Sequence, residues 1–295
     1  MAIFVEKYVQ LLTIHPKDIP TAKLHGYLLA AVAPRPIALA STIDSEGRPN
    51  LSPFSFFNVF SANPPILIFS PARRVRDNTT KHTLDNVKAT GEVVINVVNH
   101  SIVQQTSLSS TEYSKEVNEF EKAGFTMVAS EKVSPFRVKE SPVQFECKVI
   151  EINQLGDQGG AGNLIICEVV CMHVDKKVLD ENGSIDQMKL DLVARAGGSF
   201  YSRANTSFFE IPKPIFQKGI GVDKLPEEVK TSSVLTGNDL GQLGNVAQLP
   251  EESDVNKFMQ DNPQFMTSEI NEKHKFAQEF LTKSDVKGAW MVLLS

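Results

Sequence analysis

The 295-residue sequence predicts a mainly β protein: a closed or half-closed antiparallel barrel of Greek-key type with a few helices, followed by a C-terminal extension. Three observations predict it. Short runs of β-branched and aromatic residues bounded by turn residues dominate from Ala33 to about Val174. Few long helical patterns separate them, which favours antiparallel pairing over a wound parallel sheet. After Pro212-Lys213-Pro214 the character changes to a Gly-, Asp- and Leu-rich stretch with weak periodicity. The expected organisation is an N-terminal extension over 1–20, a barrel domain over 21–212 and a partly helical extension over 213–295.

Taken in order, Arg35–Ile43 reads as the first strand and Asp44-Ser45-Glu46-Gly47 as a turn, since Asp opens turns and Gly tolerates positive φ. Asn50–Phe60 is the return strand, and Asn63-Pro64-Pro65 breaks the chain before a strand over Ile66–Ser70. Val93–Val98, Val143–Ile152 and Asn163–Val174 complete the set. Helices are expected at Thr80–Ala89, ended by Gly91, at Ser101–Leu108, and at Ser114–Ala123 before Gly124. Asn182-Gly183 marks a turn, and Glu251–Leu281 reads as helical.

The formal net charge of −5 gives no support to a general affinity for nucleic acid or for an anionic membrane. Three cysteines, Cys147, Cys167 and Cys171, make no disulfide framework in a chain of this length. Cys167 and Cys171, four apart in a strand, are expected on one face. Six histidines form no metal-ligand pattern, so no metal is expected. The N-terminal stretch has neither a long apolar core nor a cleavage pattern, and no segment reaches the ~20 apolar residues of a membrane helix. A reducing, cytoplasmic setting follows as the expectation.

Chemistry concentrates in one stretch, Arg73-Arg74-Val75-Arg76-Asp77-Asn78-Thr79-Thr80-Lys81-His82-Thr83, running from a strand end into a helix start. Free amides, the helix dipole, guanidinium groups and hydroxyls together suit a phosphate. A solvated loop that merely caps a helix has the same composition. No Gly-x-x-x-x-Gly-Lys accompanies it, which argues against a nucleoside triphosphatase. A second stretch, Asn50-Leu51-Ser52-Pro53-Phe54-Ser55-Phe56-Phe57-Asn58, alternates small polar residues with aromatics. Such a strand suits a planar heteroaromatic ring with one polar edge, or equally the Phe-rich core of a barrel. In Ala194-Arg195-Ala196-Gly197-Gly198-Ser199-Phe200-Tyr201 the paired glycines allow close backbone approach, to a ligand or in a tight turn. The Gly156–Gly162 stretch lacks the Gly-x-Gly-x-x-Gly spacing and leads into a strand, so it reads as a hairpin loop.

In order along the chain, these segments resemble the flavin reductase-like family of FMN-binding split barrels, which includes flavoredoxins and the reductase partners of two-component monooxygenases. The resemblance is carried by Arg35-Pro36-Ile37-Ala38-Leu39-Ala40-Ser41-Thr42, Asn50-Leu51-Ser52-Pro53-Phe54-Ser55, Asn63-Pro64-Pro65 and Arg76-Asp77-Asn78-Thr79. Thr90–Val98 and Arg195…Gly197-Gly198…Tyr201 extend it. It implies an FMN site lined by Ser41, Thr42, Ser52, Pro53, Phe54, Ser55 and Asn58. Arg35, Ser70, Arg73, Arg76, Asn78, Thr79, Thr80, Lys81 and His82 complete the implied set, the phosphate resting mainly on Arg76, Asn78, Thr79 and Lys81. It further implies a homodimer with FMN near the interface, NADH or NADPH as donor with hydride passing to flavin N5, and a monooxygenase or electron-transfer protein as partner. The family commonly has Lys-Asp-Thr where this chain has Arg76-Asp77-Asn78. A flavoredoxin-like carrier with a protein donor and a non-catalytic FMN-binding protein are the alternatives.

Overall fold

The structure is a computed structural model that describes residues 11–214, 218–267 and 269–295. The chain divides into two compact units, Met1–Phe208 and Phe209–Ser295. In the first, α1 (Thr21–Ala31) precedes β1 (Ala38–Ile43), β2 (Pro49–Phe54), β3 (Phe57–Ala62) and β4 (Pro65–Phe69). Then come α2 (His82–Thr90), β5 (Glu92–Val97), α3 (Val103–Leu108), α4 (Glu119–Ala123), and the short β6 (Met127–Val128) and β7 (Arg137–Val138). The long hairpin β8 (Val143–Gln154) and β9 (Asn163–Val174) is followed by α5 (Gln187–Leu190), β10 (Val193–Arg195) and β11 (Tyr201–Arg203).

Seven strands form one antiparallel sheet in the order β2-β1-β5-β8-β9-β4-β3. Its two edges, β2 and β3, are consecutive in sequence. One buried cluster shows how the sheet curls. It joins Ala38 and Ala40 of β1, Phe54 of β2, Leu67 and Phe69 of β4, and Ile95 of β5, with Cys147, Ile165 and Cys167 from the hairpin. The Phe54 ring lies 5.5 Å from that of Phe69, although their strands are far apart in the sheet order. The sheet is therefore wrapped on itself as a barrel split between β2 and β3. Leu84 and Val87 of α2 close its interior. On the other face of β1 and β2, Leu39 and Leu51 pack with Phe120, Phe125 and Val138.

Several boundaries differ from the sequence expectation, each for a local reason. The Asn50–Phe60 strand is two strands, broken at Ser55-Phe56, where the chain leaves one edge of the sheet for the other. Pro53 sits on the edge strand β2, where its missing N–H costs no ladder bond. Arg35 lies outside the regular strand and meets Arg195 in a single bridge. Of Ser114–Ala123 only Glu119–Ala123 is helical, capped by the Asn118 side chain on the Phe120 amide and ended by Gly124 at φ 69°. Helix α1 buries none of its residues, so no apolar stripe marks it in the sequence. Cys167 and Cys171 do not share a face: Val170 is an extra residue in β9, so Val169 opposes Cys147 while Cys171 opposes Glu146.

The second unit is helical: α6 (Glu227–Lys230), α7 (Gly237–Gly244), α8 (Glu252–Asp261), α9 (Ile270–Thr282) and α10 (Val286–Leu293). Leu243, Leu281 and Trp290 belong to its core. The helical stretch expected over Glu251–Leu281 is interrupted after Asp261, because Pro263 admits no helical hydrogen bond and Asn262 before it lies outside the helical region at φ −132°, ψ 61°. Residues 215–217, inside the stretch of weak periodicity, lie outside the described residues. Among the described residues no helix is long and apolar enough to cross a membrane.

Candidate functional site

The cationic stretch becomes a folded loop between β4 and α2, seated on the glycine loop that joins β8 to β9. The Arg73 amide donates to the Ala161 carbonyl at 2.8 Å and the Gly160 amide to the Arg73 carbonyl at 2.9 Å. A Cβ on Gly159 would lie 3.0 Å from the Arg74 and Val75 carbonyl oxygens, so glycine is what permits this approach. Asn78 holds the loop from within. Its backbone is left-handed at φ 60°, which Asn tolerates. Its Oδ1 accepts from Arg73 Nε at 2.6 Å, and its Nδ2 donates to the Asp157 carbonyl at 3.0 Å.

This leaves Arg74 and Lys81 lining a narrow cleft, with Arg76 paired to Glu112 of its wall. Its lining combines Asn50 and Ser52 of β2, Lys81, His82 and Thr83 at the start of α2, Ser109, Thr111, Glu112 and Tyr113 beyond α3, and Glu119 of α4. Arg74 donates to Glu112 Oε1 at 2.8 Å and to the Thr79 hydroxyl at 2.8 Å, and Arg76 pairs with Glu112 Oε2 and with Asp77. The Arg74 guanidinium beside Glu112 holds that carboxyl below its ordinary value. Lys81 is half-buried, and among the described residues no hydrogen bond or ion pair engages its ammonium. Burial first, and then repulsion from Arg74, push its pKa below the ordinary lysine value. Three cations against Glu112 and Asp77 give an anion-attracting site at the N-terminus of a nine-residue helix, whose cap position carries no side-chain hydrogen bond.

Behind the cleft lies a buried polar network. Asn50 Nδ2 donates to Glu119 Oε1 at 2.9 Å, and Asn50 Oδ1 accepts from the Thr83 hydroxyl at 2.9 Å. Asn86 Nδ2 donates to the Thr42 hydroxyl at 3.0 Å, and the Leu51 amide to Glu119 Oε2 at 3.1 Å. Burial pushes the Glu119 pKa up despite these donors. The network ties β1, β2, α2 and α4 together and sets the cleft wall. Glu112 and Glu119 were not marked by any local pattern, since Glu112 comes from the segment between α3 and α4 and Glu119 from the first position of α4, and both reach the site only through the fold.

The other residues expected at a flavin separate by strand face. Thr42, Asn50, Ser52 and Phe54 share one face; Ser41, Leu51 and Pro53 share the opposite one. Ser41 is fully buried on the face carrying Leu39 and Leu51, with its hydroxyl unpaired. Phe54 is core. Ser52, Ser55 and the exposed Asn58 lie along the split between β2 and β3. Arg35 is a strut rather than an open cation: it donates to the carbonyls of Leu29 (2.6 Å), Val32 and Ala196 (3.1 Å) and to Ser55 Oγ (3.4 Å). Ser70 is buried beneath the loop, where a Cβ on Gly162 would lie 2.8 Å from its hydroxyl. The Thr80 hydroxyl makes only long contacts, 3.4 and 3.5 Å, to Asp85, while its carbonyl accepts from Arg74 at 2.6 Å. The Gly197-Gly198 pair joins β10 to β11, with the Arg195 guanidinium 4.6 Å from the Tyr201 ring centre.

A family model described as the flavin reductase like domain matches residues 30–190. An uncharacterized protein of Aquifex aeolicus (strain VF5) is 39% identical over 181 residues, covering 61% of this chain and 90% of the relative. Among solved structures, nitrilotriacetate monooxygenase component B from Bacillus cereus aligns with a TM-score of 0.65 at 28% identity, over 69% of this chain and all of that one. The 2-nitrobenzoate 2-nitroreductase of Pseudomonas fluorescens aligns with a TM-score of 0.60 at 26% identity, over 71% of this chain and all of that one.

Proposed function

The chain belongs to the flavin reductase like domain family, a flavin-related oxidoreductase by that membership, and we propose that it binds FMN and accepts reducing equivalents from NADH or NADPH. The observation that carries the proposal is the cationic cleft at the start of α2, where Lys81 stands half-buried among arginines without a partner of its own among the described residues. A buried cation is unfavourable unless an anion compensates it. A ligand phosphate supplies that compensation. Lys81, Arg76, the Thr80 hydroxyl and the free amides of the first turn of α2 would hold it. Asn78 and Thr79 instead shape the loop: Thr79 Oγ1 donates to Asp77 Oδ1 at 2.7 Å while accepting from Arg74.

The split between β2 and β3 suits the ring system. Ser52 and Ser55 offer hydroxyls, and the partly exposed Phe56 offers an apolar edge. FMN supplies the hydride-accepting N5, so the protein's part is binding and orientation rather than acid–base work. The absence of a catalytic dyad among the cleft residues fits that division. Val59 and Phe60 of the edge strand β3, each 64% exposed, support a homodimer with the flavin near its interface. The likeness to a monooxygenase component supports a partner that consumes the reduced flavin.

Anaerobic addition of NADH, then NADPH, to the FMN-loaded protein tests this reading. Bleaching of the visible flavin band is expected. A protein that binds FMN but responds to neither nucleotide is a carrier served by another donor, and one that binds no FMN refutes the proposal.

A further inference from the structure

The bulge in β9 assembles three donor groups that strand alternation would have kept apart. Without the extra Val170, Cys171 would share the core-facing side with Cys167; with it, Cys171 lies opposite Glu146 on the outer side of the hairpin. His173, two residues on, faces the same way. Its Nε2 lies 2.7 Å from Glu146 Oε1 and 3.5 Å from Cys171 Sγ, and the three ligand atoms all fall within 4.8 Å of one another. We propose that Glu146, Cys171 and His173 form a three-ligand site for a divalent d-block cation, zinc foremost, with solvent in the fourth position.

The geometry is close to what such an ion requires. With Zn–S of about 2.3 Å and Zn–N of about 2.0 Å, a tetrahedral ion separates sulfur and nitrogen by roughly 3.5 Å. The Cys171–His173 separation already has that value. The carboxylate–imidazole pair must open from 2.7 Å to roughly 3.3 Å. Glu146 is fixed for this: the Glu131 amide donates to Oε1 (2.9 Å) and Oε2 (3.1 Å) and the Lys132 amide to Oε2 (2.6 Å), while Oε1 also meets the imidazole with its second lone pair. Glu146 is fully buried, whereas Cys171 and His173 are half-buried, so the ion has a route in. Charge also balances. The Glu146 carboxylate and the Cys171 thiolate, whose proton leaves to solvent, neutralise a divalent ion. Arg137, 3.7 Å from Glu146, is offset by Glu131, 3.9 Å from His173 Nδ1. One thiol, one imidazole and one carboxylate favour zinc or cobalt over magnesium or calcium, which prefer all-oxygen shells.

Titrating the reduced full-length chain with Co²⁺ and following difference absorbance tests the site. Uptake of one equivalent is expected, with a near-ultraviolet thiolate-to-cobalt band that Zn²⁺ abolishes and a Tm raised by either ion. Cys171→Ser should remove that band, and His173→Ala should weaken binding at least about ten-fold. Both variants retain the parental far-ultraviolet circular dichroism, because neither side chain belongs to a core cluster. Failure of the folded parent to take up Co²⁺, or a thiolate band undiminished in Cys171→Ser, overturns the assignment.

Discussion

Replacing Lys81 by alanine is the sharpest perturbation of the proposed phosphate site. Two unit charges about 4 Å apart attract by about 4 kcal/mol at an effective dielectric constant near 20. Desolvation of the half-buried ammonium and ordering of the ligand offset part of this. The net effect expected for one charge-assisted hydrogen bond is then ~1.5–3 kcal/mol, which corresponds to a loss of roughly ten- to 150-fold in FMN affinity. Riboflavin has the same ring system and no phosphate, so its affinity should hardly change. Quenching of flavin fluorescence on binding measures both ligands under identical conditions. The FMN loss should also shrink as salt rises, since part of the site is open to solvent. Equal losses for FMN and riboflavin would show that Lys81 supports the ring or the fold, and the phosphate assignment would fall.

Arg76→Ala should likewise weaken FMN more than riboflavin, but by less than Lys81→Ala, because Arg76 is exposed and already paired with Asp77 and Glu112; the same titration decides. Asn50→Ala should cost about 2–4 kcal/mol of barrel stability by leaving Glu119 and the Thr83 hydroxyl short of a buried partner, read from urea unfolding followed by circular dichroism; a loss under about 0.5 kcal/mol, the level of an ordinary surface change, contradicts the network. In the native protein only Cys171 should react with a thiol reagent, against three thiols after denaturation. Cys147 and Cys167 are buried, and burial pushes the Cys167 thiol up to about 12 and the Cys147 thiol higher still. Burial opposes ionisation of Asp44, but the amide and guanidinium of Arg48 and the Glu46 amide outweigh it and hold its carboxyl well below the ordinary value. Its contribution is therefore present above the unfolded pKa of about 4 and lost as pH falls below it; Asp44→Asn should flatten that acid limb of the stability profile.

How much was legible depends on the range of the interaction. The strands from β1 to β9 announce themselves because β-branched runs and turn residues act within a few positions. The same holds for α2, where Gly91 at φ 70° ends the helix. The cationic loop was legible as a cluster of charges, but not the division of labour inside it. Arg73 and Asn78 hold the loop, Arg74 and Arg76 share Glu112, and Lys81 alone lacks a partner among the described residues. Nothing local distinguishes one arginine from the next. Ser41 and Thr42 show the same limit. Adjacent in sequence and alike in chemistry, they face opposite layers, because the register of β1 against β2 sets Thr42 opposite Asn50 and Ser41 opposite Leu51.

By itself the sequence determined a mainly β barrel of the flavin reductase like kind, a phosphate-suited loop at a helix start, and a change of character near Pro212. The barrel, the loop and the change of character rest on composition, turn chemistry and short-range order, which are properties of contiguous residues; the family rests on the resemblance carried by the ordered motifs. Tertiary structure alone decided which groups converge. Glu112 arrives at the cleft from the segment between α3 and α4 and Glu119 from the start of α4, and the split falls between strands that are neighbours in sequence but opposite edges of the sheet. A single extra residue, Val170, moves Cys171 from the core-facing side to a place beside Glu146 and His173. The physical reason is common to all three: strand pairing and register couple residues far apart in the chain, and one residue of slip exchanges the faces of everything beyond it.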